Sequence, residues 1–211
     1  MNRALPLFFF ALACIGSSLA AGADKSAKTV LVIVHIPLQM NDGSKTPAAV
    51  LTAYRETLGK VGEAQDHPSV GSWVEGQRLE FEPDDLVSIR TTPREAAGFL
   101  RPFLASMRDR LKQEATLGEV IGNAPGLTAE SRIRMDVVFP LTCWCSAREL
   151  AAHKIFAAAG GASQYDDLDG THVYSAVPKS LESRVRKSLS QVNLKYTETG
   201  EAFVLVSSSD R

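Results

Sequence analysis

Two cysteines separated by a single residue, in Thr142-Cys143-Trp144-Cys145-Ser146, are the side chains of this 211-residue chain whose type and spacing most directly offer chemistry. In an extended strand, positions i and i+2 share a face but lie too far apart for a disulfide. On a helix they point nearly opposite ways. A Cys143–Cys145 bridge therefore needs a turn and would be a tight, readily reduced ring. The pair follows a strand-like run and precedes Ser146-Ala147-Arg148-Glu149, a capping box. Unsatisfied N–H groups and the positive end of that helix would lower a thiol pKa. Two plainer roles stand beside redox chemistry: a structural bond within the chain or to another chain, and Cys145 packing on Leu150 as a hydrophobic staple. A metal role would add His153, giving soft ligands for copper(I) or three of the four for zinc. Along a helix His153 would sit roughly 12 Å beyond Cys145, which argues against it.

The strand–cysteines–helix placement resembles that of thiol-disulfide oxidoreductases, although those carry two residues between the cysteines. Elsewhere the chemistry thins out. His35 lies in a continuous apolar strand and reads as a hydrogen-bonded core histidine. His67 and His172 have no partners at ligand spacing. Asp166-Asp167-Leu168-Asp169-Gly170 fails as a calcium loop, because Tyr165 and Ala176 would occupy ligand positions. Asp84 and Asp85 read as turn residues. Gly160-Gly161 lacks the further glycines and lysine of a phosphate cradle, and neither G-x-S-x-G nor H-E-x-x-H occurs. No cofactor is expected.

Residues 1–23 read as a signal peptide. Arg3 makes a short positive n-region, an apolar stretch centred on Phe8-Phe9-Phe10 follows, and small residues run through Ala20 to Ala23. Leu12-Ala13-Cys14 resembles the end of a bacterial lipoprotein signal, which leaves a lipid anchor on Cys14 as a minority alternative to simple export. Without the leader, 22 Lys plus Arg face 24 Asp plus Glu, a net charge of −2. Such a surface gives no electrostatic reason to expect nucleic acid as a partner. No later segment is apolar enough for a spanning helix.

The remaining chain alternates strand and helix patterns. Val30–Ile36 is β-branched and continuous, the signature of a strand buried on both faces. Pro47 opens a helix with Val50, Leu51, Tyr54 and Leu58 on its stripe. Residues 65–76 read as a loop, and 78–82 and 86–90 as two short strands turning at Pro83-Asp84-Asp85. Thr92-Pro93-Arg94-Glu95 is a capping box opening a helix striped with Leu100, Leu104, Met107 and Leu111. Residues 118–128 read as a connector. Arg132–Phe139 alternates, with Ile133, Met135, Val137 and Phe139 on one face. A helix from Ser146 to Gly160, a strand at 171–177, a helix at 179–191 and a terminal hairpin at 194–198 and 202–206 complete the pattern.

The expected fold is thus α+β. The first half (24–117) takes the ferredoxin-like βαββαβ order if the Arg132 strand returns to its sheet. A second half (129–211) of order αβαββ forms another α/β sandwich or shares that sheet. The expected function is an exported envelope binding, assembly or accessory protein, with a protein or small-ligand partner and no catalytic site of its own. The alternative is a periplasmic thiol-disulfide redox protein, or copper carrier, working through Cys143 and Cys145.

Overall fold

The computed structural model describes residues 29–127, 129–140 and 146–208. The strands are β1 (Val30–Pro37), β2 (Glu63–Glu75), β3 (Arg78–Thr91), β4 (Ala115–Ile121), β5 (Glu130–Phe139), β6 (Ala162–Asp167), β7 (Gly170–Pro178) and β8 (Thr197–Ser208). The helices are α1 (Ala48–Gly59), α2 (Pro93–Leu111), α3 (Ser146–Ala157) and α4 (Glu182–Gln191). All neighbouring strands are antiparallel, and the sheet closes in the order β1-β3-β2-β6-β7-β5-β8-β4.

This closed eight-stranded barrel overturns the ferredoxin-like α+β sandwich. The element order β-α-β-β-α-β occurs twice, from β1 to β4 and from β5 to β8, so the chain is a structural duplication with a period of about 100 residues. Each four-stranded unit has two edges with unpaired backbone groups. Here β2 pairs with β6 and β4 with β8, which removes all of them. Each unit lays its two helices on the outside of the barrel. α1 and α2 cover Val30, Val32, Val34, Ile36, Val87 and Ile89, and α3 and α4 cover Met135, Val137, Phe139, Val173 and Val177.

The two-sided burial expected of β1 is present, but its inner face looks into the barrel, where Leu31, Ile33 and His35 point. The capping box of α2 is also present: Thr92 Oγ1 accepts from the Glu95 N–H, and the Glu95 carboxylate accepts from the Thr92 N–H.

Other expectations fail as well. The lumen mixes polar side chains with Leu31, Ile33 and Leu86, so β2 and β3 lack a clean apolar alternation. Residues 65–76 belong to β2, which pairs with β3 continuously from Glu63↔Arg90 to Glu75↔Arg78. Asp84 and Asp85 are mid-strand in β3, on opposite faces: Asp84 enters the lumen, and Asp85 accepts a hydrogen bond from Arg55 of α1 at 2.7 Å. The start of the supposed connector is β4, the fourth strand of the first unit, which displaces the Arg132 strand into the second. Gly118 belongs there because Leu100 and Leu104 of α2 lie 3.0 and 3.1 Å from where a Cβ would stand. The terminal hairpin is one strand, β8, with a bulge at Thr199-Gly200 that shifts its register against β5 between Ile133 and Met135. Among the described residues no helix is long and apolar enough to cross a membrane.

Candidate functional site

Strand alternation delivers the site. In β1 every second side chain goes inward, and the register places His35 beside Leu86 of β3 and Ile33 beside Glu119 of β4. The inner residues of β5 are Arg132, Arg134 and Asp136, the polar counterpart of the Ile133/Met135/Val137/Phe139 face. β7 adds His172 and Tyr174, and β6 adds Ser163 and Tyr165.

At the centre, His35 is held between two carboxylates. Its Nδ1 lies 3.0 Å from Asp84 Oδ2 and its Nε2 lies 3.2 Å from Glu119 Oε1. Glu119, 2% exposed, also accepts from Arg134 Nη1 at 3.3 Å. The Arg134 guanidinium carbon stands 3.5 Å from the centre of the Tyr174 ring, a buried cation–π contact. Burial alone would push the His35 pKa down, but the hydrogen bonds and charges of Asp84 and Glu119 overcome it and raise it to about 9. At neutral pH His35 is therefore an imidazolium donating from both ring nitrogens. Burial opposes the charge on Glu119, yet His35 and Arg134 hold its pKa below the usual carboxylate range. Tyr174, driven upward chiefly by burial, stays a neutral phenol. The four charges of His35, Asp84, Glu119 and Arg134 cancel.

Beside this cluster a cavity of about 270 Å³ opens inside the barrel. His35, Asp84, Glu119 and Tyr174 form one wall, and Trp73, Glu82, Gly160 and Gly161 stand among the others. Asp84 Oδ1 is buried and has no hydrogen-bond partner. Gly71 lies opposite Glu82. A Cβ on it would come within ordinary contact of Asp84 Oδ2, at 3.9 Å, so the missing side chain helps keep the cavity open.

A second histidine cluster lies elsewhere on the lumen face. His172 Nδ1 is 2.9 Å from Asp136 Oδ2, and its Nε2 is 2.8 Å from Asp169 Oδ1. The Tyr165 ring stacks on it at 4.8 Å, inclined by 6°. Burial lowers the His172 pKa, but the two carboxylates raise it overall.

Cys143 and Cys145, with the rest of residues 141–145, lie outside the described residues, as do Cys14 and the leader. His153 is among the described residues. It is buried on α3 with Nδ1 2.8 Å from Ser72 Oγ and Nε2 2.7 Å from Gln164 Oε1. Burial keeps it neutral. Both nitrogens are engaged in hydrogen bonds. Among the described residues no group of three His, Cys, Asp or Glu side chains could hold a metal ion. The sequence reading placed His35 in a hydrogen-bonded core, and missed Asp84, Glu119, Arg134 and Tyr174. One signal for them was available: the strictly polar face of Arg132–Asp136, opposite four apolar residues.

Fold and site together define a helix-wrapped barrel with a charged, partly hollow lumen. No protein-family model and no curated protein matches the chain. Among solved structures it is similar to a phage SAM lyase in complex with S-methyl-5'-thioadenosine, at 16% identity, TM-score 0.37, over 46% of this chain and 82% of that one. It is also similar to an anthrone oxidase-like protein, at 13% identity, TM-score 0.28, over 88% and 95%. A third likeness is to a protein described as a monooxygenase from Fusobacterium nucleatum subsp. nucleatum, at 6% identity, TM-score 0.29, over 87% and 96%. At these TM-scores the likenesses carry no argument about function.

Proposed function

We propose that this chain is an exported envelope protein that binds a small polar molecule in the barrel lumen, as a binding or accessory module. One observation carries the reading: a cavity of about 270 Å³ inside the barrel, walled by His35, Asp84, Glu119 and Tyr174. The cavity falls just below the roughly 300–1,000 Å³ of drug-sized sites and suits a small metabolite. Electrostatics favour binding over catalysis. His35, Arg134, Asp84 and Glu119 neutralise one another, and a histidine protonated up to about pH 9 offers no base at neutral pH. Export rests on the tripartite leader, with a mature N-terminus expected at Ala21 or Asp24.

Native mass spectrometry of chain isolated from its own host tests this. The parent should carry a small ligand that Gly71→Val, filling the cavity, loses while keeping its fold. A ligand retained by Gly71→Val, or a parent that carries and binds nothing, contradicts the reading.

The thiol-redox alternative retains one supporting observation: α3 begins at Ser146, immediately after Cys145. Alkylation with and without reductant tests it, since a pair that never oxidises removes that chemistry.

A further inference from the structure

The open part of the lumen is rich in acceptors and short of free cations. Asp84 lines the cavity, is 8% exposed at its side chain and gives Oδ2 to His35, while its Oδ1 is sealed from the cavity. Glu82, two residues along the same face of β3, lines the same cavity and is half-buried. No hydrogen bond or ion pair is formed by it among the described residues. Burial, and then the charge of Asp84, push its pKa upward, the mark of a carboxylate lacking a counter-charge.

The nearby cations are committed. His35 donates to two carboxylates. Arg134 serves Glu119 and the Tyr174 face, and Arg132 donates to Glu130 and the Ala176 carbonyl. Trp73 completes the opening, 39% exposed and lining the cavity. In the β2–β3 ladder Trp73 pairs with Glu80 and Gly71 with Glu82, so Trp73 and Glu82 are diagonal neighbours, about 7–8 Å apart at the backbone. Gly71 puts no side chain between them.

Resting on the reading of the lumen as a ligand site, we infer that its ligand is a small primary amine, bound as the ammonium ion between Glu82, Asp84 and Trp73. The N–H groups donate to the Glu82 carboxylate, the charge compensates it, and the indole of Trp73 attracts the same cation. A carboxylate ligand would meet two carboxylates and no uncommitted cation. A neutral alcohol would satisfy one acceptor and leave the charge of Glu82 uncompensated.

The test titrates the mature chain by calorimetry with n-butylammonium, 1-butanol and butyrate, which share a carbon skeleton and differ in head group. Quenching of Trp73 in a Trp144→Phe background, which leaves a single indole, is followed in parallel. Butylammonium should bind at least about tenfold more tightly than butanol, and butyrate should not bind. Glu82→Gln should weaken the amine by about tenfold or more, with an unchanged circular dichroism spectrum and melting temperature, because Glu82 has no partner to lose. Failure of butylammonium to bind overturns the inference whatever the other probes do. If butanol or butyrate then binds, and Gly71→Val abolishes that binding, the lumen stands as a ligand site and only the amine class falls. Amine binding that ignores both Glu82→Gln and Gly71→Val places the ligand outside the lumen and overturns both readings.

Discussion

The lumen contains two histidines that are each held by two carboxylates, and their difference shows what burial does to the same motif. At His35 the partners Asp84 and Glu119 are 8% and 2% exposed at their side chains. At His172 one partner, Asp136, is 9% exposed and the other, Asp169, is 70% exposed on the β6–β7 turn. The first cluster is sealed and tied through Glu119 to Arg134. Its charges must be balanced by one another, because water cannot share the work. The second can lose its outer carboxylate to solvent at little cost. Only the first borders the cavity. The fixed charge at His35 thus acts as a strut that holds Asp84 and Glu119 in place.

The largest effect expected is from moving a charge across the sheet. Asp136 is accommodated in the lumen, whereas its neighbour Val137 is 1% exposed beneath the outer helices. Val137→Asp should cost several kcal/mol, comparable with the stability of a whole domain, and prevent cooperative thermal unfolding. A melt within a degree or two of the parent would mean that the β5 register is wrong.

Next, Glu119→Gln strands His35 and Arg134 as two buried cations beside a single remaining carboxylate, Asp84. The cost should be about 3–5 kcal/mol, a fall in Tm of roughly 10 °C. Equal destabilisation by Asp169→Asn would erase the distinction between the two clusters.

Somewhat smaller is the pH response. His35 has a folded pKa of about 9 against an unfolded 6.5, so its contribution, about 3 kcal/mol, is fully present below pH 6.5 and is lost as pH rises through 9. Glu119, held below 4.5, contributes above that value and loses its contribution as pH falls. Tm should therefore be highest at about pH 5–6 and decline steadily from pH 7 to 10, a decline that His35→Gln should flatten.

The smallest effect belongs to the exposed arm of the second cluster. Asp169→Asn should move Tm by about a degree or less. A larger shift would mean that the turn is structurally coupled to the lumen.

Much of the outer shell was legible in the sequence, because apolar periodicity reports contact between helix and sheet. The α2 stripe, its Thr92–Glu95 capping box and the Ile133–Phe139 face all read correctly. Barrel closure did not, because strand order is not written in local periodicity: the β2–β6 and β4–β8 pairings join residues about 90 apart. The lumen was harder still. A strand whose inner face is His67, Ser69, Gly71 and Trp73 has the composition of a loop, and Pro83-Asp84-Asp85 has that of a turn. Both are held extended by ladder partners that local sequence does not reveal. His35 was visible as a polar residue in an apolar strand, but its carboxylates come from 49 and 84 residues away.

The most direct test of the account is the protonation state of His35, followed by long-range ¹H–¹⁵N correlation of the histidine rings from pH 6 to 10 in the mature chain. The account predicts two protonated ring nitrogens at pH 7.5, with a midpoint near 9, while His153, whose pKa burial pushes down, carries a single proton on Nε2 at that pH. A His35 ring that is neutral at pH 7 would place a free base beside the cavity. It would contradict the balanced-charge lumen on which the binding reading depends.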